Sequence, residues 1–194
     1  MQTLGLSSES KRSDGRLKSI FWPTVENAWD VNYLGQQGFW ICLIIAIFQT
    51  IGTLVYGSTT LVVLGVVGFL IFFLGGMGVR EASWPAAALI FTIFLAGMVS
   101  TMAKGTFPGV LTIIAAGVLL SNVRAAFLAS EWRPPAEGED RPTRFSETLT
   151  DKLVDQLPAK VWPVLKVPFF ILSAMYLTLI LIGFAADIAH RFGR

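Results

Sequence analysis

Few residues in this chain combine type and spacing in a way that supports catalysis. There is one histidine, His190, and one cysteine, Cys42. A single histidine supplies neither the two axial ligands of a transmembrane haem nor an HExxH zinc pair. A single cysteine excludes an internal disulfide and a Cys-based metal site, and inside an apolar run it reads as a small buried hydrophobe. Asp187 is the only acid within the fifth apolar run, so a paired intramembrane aspartate site cannot form. Glu131, Glu137, Glu139 and Asp140 lie in or beside a Pro-rich stretch that reads as solvated. No Walker A or GxGxxG pattern occurs, and the glycine cluster at 75–78 lacks the strand–loop–helix setting such motifs need. The expectation is no catalytic residue and no metal site. Whether a pigment, quinone or lipid is bound stays open.

The remaining polar residues suit packing and lipid contact. Gln49 stands midway along an apolar run, where an amide needs a partner and turns toward other helices. Asn122 and Arg124 fall near the end of another run. Arg124 reads as snorkelling to headgroups; the alternative is a lipid-phosphate contact shared with Lys160 and Lys166 across the long polar loop. Ser and Thr within the runs can bond their own helix carbonyls and need no further role. Small residues recur four apart or nearly so: Gly65 and Gly68 in the second run, Ala96 and Ser100 in the third, Gly117, Ser121 and Ala125 in the fourth. Such stripes let helices approach closely. They serve packing within the chain or association with another subunit, and spacing alone does not choose.

Composition says what holds these residues. The chain has 194 residues, 54% hydrophobic and 14% charged, with a mean hydropathy of +0.64. Soluble domains carry about 25% charged residues. The charge is also segregated, lying almost wholly before residue 37 and after residue 130. An ordinary soluble domain, a disordered chain and a disulfide scaffold are thereby excluded. Net charge is +2, too mild for nucleic-acid binding.

Five apolar runs reach the ~20 residues needed to cross a bilayer as helix: 38–56, 59–78, 84–103, 107–129 and 163–187. None alternates with period two, and only helices or closed barrels satisfy the backbone in lipid. The expected fold is an all-α polytopic membrane bundle of five transmembrane helices with interfacial amphipathic helices. Its parts are 1–36, a tail and interfacial segment broken at Pro23; 37–129, four spans; 130–162, a polar loop with an amphipathic helix over 145–157; and 163–194, the fifth span and a short tail. The first 36 residues show no cleavable signal peptide. Ser58 or Thr59, Ser83 and Thr106 stand where hydroxyls cap helix starts, and Pro85, Pro108 and Pro163 suit first turns.

With the N-terminus inside, all Lys and Arg except Lys104, Arg191 and Arg194 fall on the cytoplasmic side, twelve of 15. All six tryptophans (22, 29, 40, 84, 132 and 162) fall near that boundary too. The layout suggests a bacterial inner-membrane protein. Its expected role is a non-catalytic subunit or scaffold packed against other membrane subunits, or against copies of itself. A small-solute transporter or channel is the alternative, and it would need polar residues lining a path.

Overall fold

A computed structural model describes residues 23–25, 28–131 and 152–192. Five helices account for nearly all of them: α1 (Ala28–Tyr56), α2 (Thr59–Arg80), α3 (Trp84–Ala103), α4 (Val110–Glu131) and α5 (Leu157–Phe192). A π-helical turn, Lys152–Gln156, leads into α5. Among the described residues there is no strand. All five helices are long and apolar enough to cross a membrane. The chain is an all-α, multi-pass membrane protein.

Two helices start earlier than hydropathy suggests. α1 runs unbroken from Ala28, so the polar stretch up to residue 36 belongs to the same rod as the first span rather than to a separate interfacial piece. No breaker lies between 28 and 38, and Gly35 and Gly38 are already buried against other helices. α5 begins at Leu157, with Pro163 and Pro168 inside it. Pro158 takes the first-turn position that Pro163 was expected to fill. The amphipathic helix expected over 145–157 lies mostly outside the described residues; its last part is the π turn. At ~1.5 Å per residue, the 29 residues of α1 and 36 of α5 far exceed the ~30 Å hydrocarbon core.

The joints are tight. Only Gly57 and Ser58 separate α1 from α2, and a Cβ at Gly57 would run into the Thr53 carbonyl. Between α2 and α3, the Ser83 N–H donates to the Gly78 carbonyl at 2.9 Å and the Ala82 N–H to the Val79 carbonyl at 3.1 Å. This is a Schellman turn, and Ala82 holds its left-handed position at φ 52. The α3–α4 joint repeats the motif: Thr106 N–H to Thr101 O at 3.3 Å, Gly105 N–H to Met102 O at 2.9 Å, with Gly105 at φ +84. The expected hydroxyl caps do not form: neither Ser58 nor Ser83 makes a side-chain cap bond. Their backbone carbonyls accept the first intrahelical bonds, from Val62 at 3.0 Å and Ala87 at 3.0 Å. Pro108 precedes α4 rather than sitting in its first turn, because the Schellman turn carries the chain through Thr106 and Gly109 supplies the first carbonyl.

α2 is the axis of the bundle. It packs on α1, α3 and α5 and, over a shorter stretch, on α4; α1 also packs on α4, α4 on α3, and α3 on α5. Half of the most apolar window of α2 is buried, against 11% of that of α5. The main core joins Phe39, Cys42 and Ala46 of α1 to Ile71, Phe72 and Met77 of α2, Ala86, Ile90 and Ile93 of α3, and Trp162 and Phe169 of α5. Most of these residues lie toward one end of the bundle, where α2 ends at Arg80 and α3 begins.

Candidate functional site

In lipid, burying apolar surface between helices yields little, because the tails are as apolar as leucine; close packing and interhelical hydrogen bonds must hold the bundle. The α2 glycines provide the first. A Cβ at Gly65 would strike Thr53, and one at Gly68 the amide of Gln49, both on α1. At Gly75 it would strike Ile90 of α3, at Gly76 it would come within 3.0 Å of Cys42 Cβ, and at Gly78 within 2.6 Å of the Trp162 ring. These positions therefore admit neighbours on three sides. Of the other small residues singled out by spacing, Ser121 and Ala125 are buried, while Ala96, Ser100 and Gly117 are half-buried. Gly38 of α1, a position that hydropathy places at the very edge of a span, accepts Val79 and the Asn122 amide, each 2.6 Å from where its Cβ would be.

Hydrogen bonds provide the second. Gln49 Nε2 donates to the Tyr176 hydroxyl at 3.1 Å, joining α1 to α5 across the Gly68 surface of α2. Asn122 Nδ2 turns back to the Val118 carbonyl at 2.8 Å. Thr50, Thr92, Thr101, Ser121 and Thr178 do likewise, each to the carbonyl four residues earlier. Ser173 is the exception: its hydroxyl is wholly buried without a partner.

The densest polar cluster lies at the Arg80 end. Arg80 Nε donates to Asp155 Oδ1 at 3.1 Å and to the Val154 carbonyl at 3.2 Å, and Nη1 reaches the Asn32 carbonyl at 3.4 Å. Nη2 completes the ion pair with Asp155. One guanidinium thus ties α1, the end of α2 and the π turn before α5. Its charge suits the C-terminus of α2, and the Asp155 carboxylate suits the N-terminus of α5. The Arg80 side chain is 10% exposed and that of Asp155 25%. Sequence reading counted Arg80 only as one more inside charge, because its partner lies 75 residues away.

Of the three cations expected near lipid phosphate, Arg124 has a partner within the chain. Arg124 is half-buried on α4, and its Nη1 donates to the Pro23 carbonyl at 2.8 Å. It pins the segment before α1 rather than snorkelling, because that carbonyl comes within reach. Lys160 and Lys166 are exposed on α5. Asp187 is half-buried and His190 exposed near the far end of α5.

Among the described residues no three His, Cys, Asp or Glu side chains gather to hold a metal. Polar groups meet, among the described residues, in a clamp at one end, in a bridge at mid-height and where Arg124 reaches the Pro23 carbonyl. Comparison with family models, curated proteins and solved structures finds no match for the chain. The class that the fold defines is an all-α integral membrane protein, with five candidate spans among the described residues.

Proposed function

We propose that this chain is a non-catalytic membrane subunit or scaffold, whose less closely packed half receives transmembrane helices of other subunits or of further copies. The observation behind this reading is the contrast among glycines. Those of α2 face neighbours of the same chain, whereas Gly52, Gly97 and Gly183, in the halves of α1, α3 and α5 away from Arg80, have nothing within 4 Å of where a Cβ would be. Large apolar residues surround them in exposed positions, among them Phe48, Val99 and Leu179. A glycine open to the membrane offers a flat surface on which a further helix can pack. Extraction in mild detergent tests the reading: particles well above 21.2 kDa plus the micelle are expected. A clean monomer that supports solute flux in liposomes would overturn it in favour of a transporter.

The charge distribution supports a cytoplasmic N-terminus in a bacterial inner membrane, with the Arg80 end inside. A cysteine introduced at 140 should be shielded from an impermeant thiol reagent in intact cells, while one at 104 reacts. Labelling at 140 from outside would reverse the orientation.

A further inference from the structure

The amide of Gln49 makes one hydrogen bond, to the Tyr176 hydroxyl, and no other among the described residues. Its carbonyl oxygen and second N–H are left over. That oxygen is not sealed inside the bundle as the Ser173 hydroxyl is, and the Gln49 side chain is only half-buried. The amide lies on Gly68, twelve residues from the Arg80 end of α2 and nine from its start at Thr59. Those intervals are roughly 18 and 14 Å of helix, which puts the amide near the middle of a ~30 Å hydrocarbon core. At that depth neither water nor a headgroup supplies the missing partner, and the need falls on another polar group in the membrane.

The surface beside the amide suits a helix. Gly52 stands one turn further along α1 and about 60° around it, with nothing within 4 Å of where its Cβ would be. Phe48 and Val55, 71% and 67% exposed, flank that glycine about 40° and 60° further round in the same sense. On α5, Gly183 lies two turns beyond Tyr176, about 20° around, and is equally bare. Past the bridge that joins them, α1 and α5 thus both offer an open glycine.

Copies of a membrane chain share one orientation, so a two-fold axis between two of them runs along the membrane normal and sets each residue level with its counterpart. The Gln49 of a second copy therefore arrives at the required depth. A primary amide is also its own complement, since the N–H of each can donate to the carbonyl of the other. Lipid tails carry no such group, and an unrelated helix does so only if a polar residue happens to stand at the same level.

We infer that a second copy of this chain packs against α1 at Gly52, with the two Gln49 amides exchanging a reciprocal pair of hydrogen bonds and Phe48 and Val55 of each copy closing over the bare glycine of the other. This names the partner for one face of the less closely packed half, and it rests on the proposal that this half receives further helices.

Oxidative cross-linking in native membranes tests it. Phe48→Cys should give a product of twice 21.2 kDa. Val63→Cys, 58% exposed on α2, should not, nor should the wild-type chain, whose Cys42 is wholly buried. In mild detergent, Gln49→Leu should raise the dimer dissociation constant about fivefold, which is ~1 kcal/mol. Gly52→Leu should raise it at least as much, although the new side chain meets nothing within its own chain. Tyr176→Phe removes the bond inside the chain but keeps the Gln49 amide, so the dimer should persist. Equal weakening by Tyr176→Phe and Gln49→Leu would overturn the inference, because the amide would then serve only its own fold. So would a cross-link at 63 as strong as that at 48. Particles above the monomer mass without a cross-link at 48 would refute the Gln49 interface and leave the subunit reading standing; a monomer at every concentration would refute both.

Discussion

The two ends of this bundle are built differently from similar material. Toward Arg80, glycines at 38, 75, 76 and 78 bring backbones together, aromatic rings such as Phe39, Trp162 and Phe169 fill the space between them, and a guanidinium ties three segments. Toward Lys104, glycines at 52, 97 and 183 touch nothing, and Phe107, Val110 and Leu111 are each more than 70% exposed. The Gln49–Tyr176 bond marks the change: from Leu177 to His190 no residue of α5 is buried. All five helices are apolar enough to span a membrane, so hydropathy alone does not mark where the packing changes. What separates the two ends, in the helices around α2, is whether a glycine has a partner at its bare face.

Exchanging bulk for glycine in the two halves should break this contrast most forcefully. Gly75→Leu drives a side chain into Ile90 and Phe169. Overpacking a tight site typically costs 1–3 kcal/mol, occasionally more, and with the buried Ile90 and Phe169 both in the way a loss of about 3 kcal/mol or of folding altogether is expected. Gly97→Leu meets open space and should leave monomer stability within about 0.5 kcal/mol, since leucine is also the better helix former. Its effect should fall on association instead, as a lower particle mass after mild extraction. Equal destabilisation by the two substitutions would show that the halves do not differ in packing.

The Arg80 clamp is the next largest contributor to the difference. Asp155→Asn keeps the shape but removes the charge facing a guanidinium that is only 10% exposed. Breaking a buried pair from one side costs about 3–5 kcal/mol; with Asp155 25% exposed, water offsets part of this and about 2 kcal/mol is expected. Arg80→Lys should lose a similar amount, because one ammonium cannot reach Asn32, Val154 and Asp155 together in the geometry of the planar fork. Denaturant titration in mixed micelles measures both. A variant that unfolds like the wild type would show the clamp to be a surface contact.

Much of this was legible in the residues, and the reason the rest was not is physical. Hydropathy identifies five spans because lipid penalises every unsatisfied backbone group, a penalty that acts residue by residue along the chain. Helix starts are decided by partners elsewhere. The polar turn of α1 around Asn32 reads as interfacial, yet Gly35 lies against the backbone of Val79 and Arg80, and the Asn32 carbonyl meets Arg80. Pro158 and Pro163 both resemble first-turn prolines; only the seating of Val154 and Pro158 in the core shows which one starts the helix. The same holds for the small-residue stripes. Gly65 and Gly97 look alike as letters, and only the position of Thr53 distinguishes the glycine that is covered from the one that is not.

The finest test of the comparison lies in its two Schellman turns, which share a hydrogen-bond pattern but differ in one residue. At the packed end the left-handed position holds Ala82, at the open end Gly105. A side chain in that conformation costs about 1 kcal/mol relative to glycine. Ala82→Gly should therefore stabilise the chain, but by less than the full conformational gain, because glycine also frees the unfolded chain; a rise of about 0.5 kcal/mol is expected. Gly105→Ala should cost about 1 kcal/mol, as nothing lies near enough to the new methyl group to repay it. The strained residue is tolerated where Arg80, Gly78 and Trp162 already hold the turn's neighbours in place, and the unstrained one stands where the surrounding helices offer no such support. If Ala82→Gly lowers the unfolding midpoint instead, the methyl group of Ala82 must contribute packing that exceeds its strain, and the tight end would extend into its own loop.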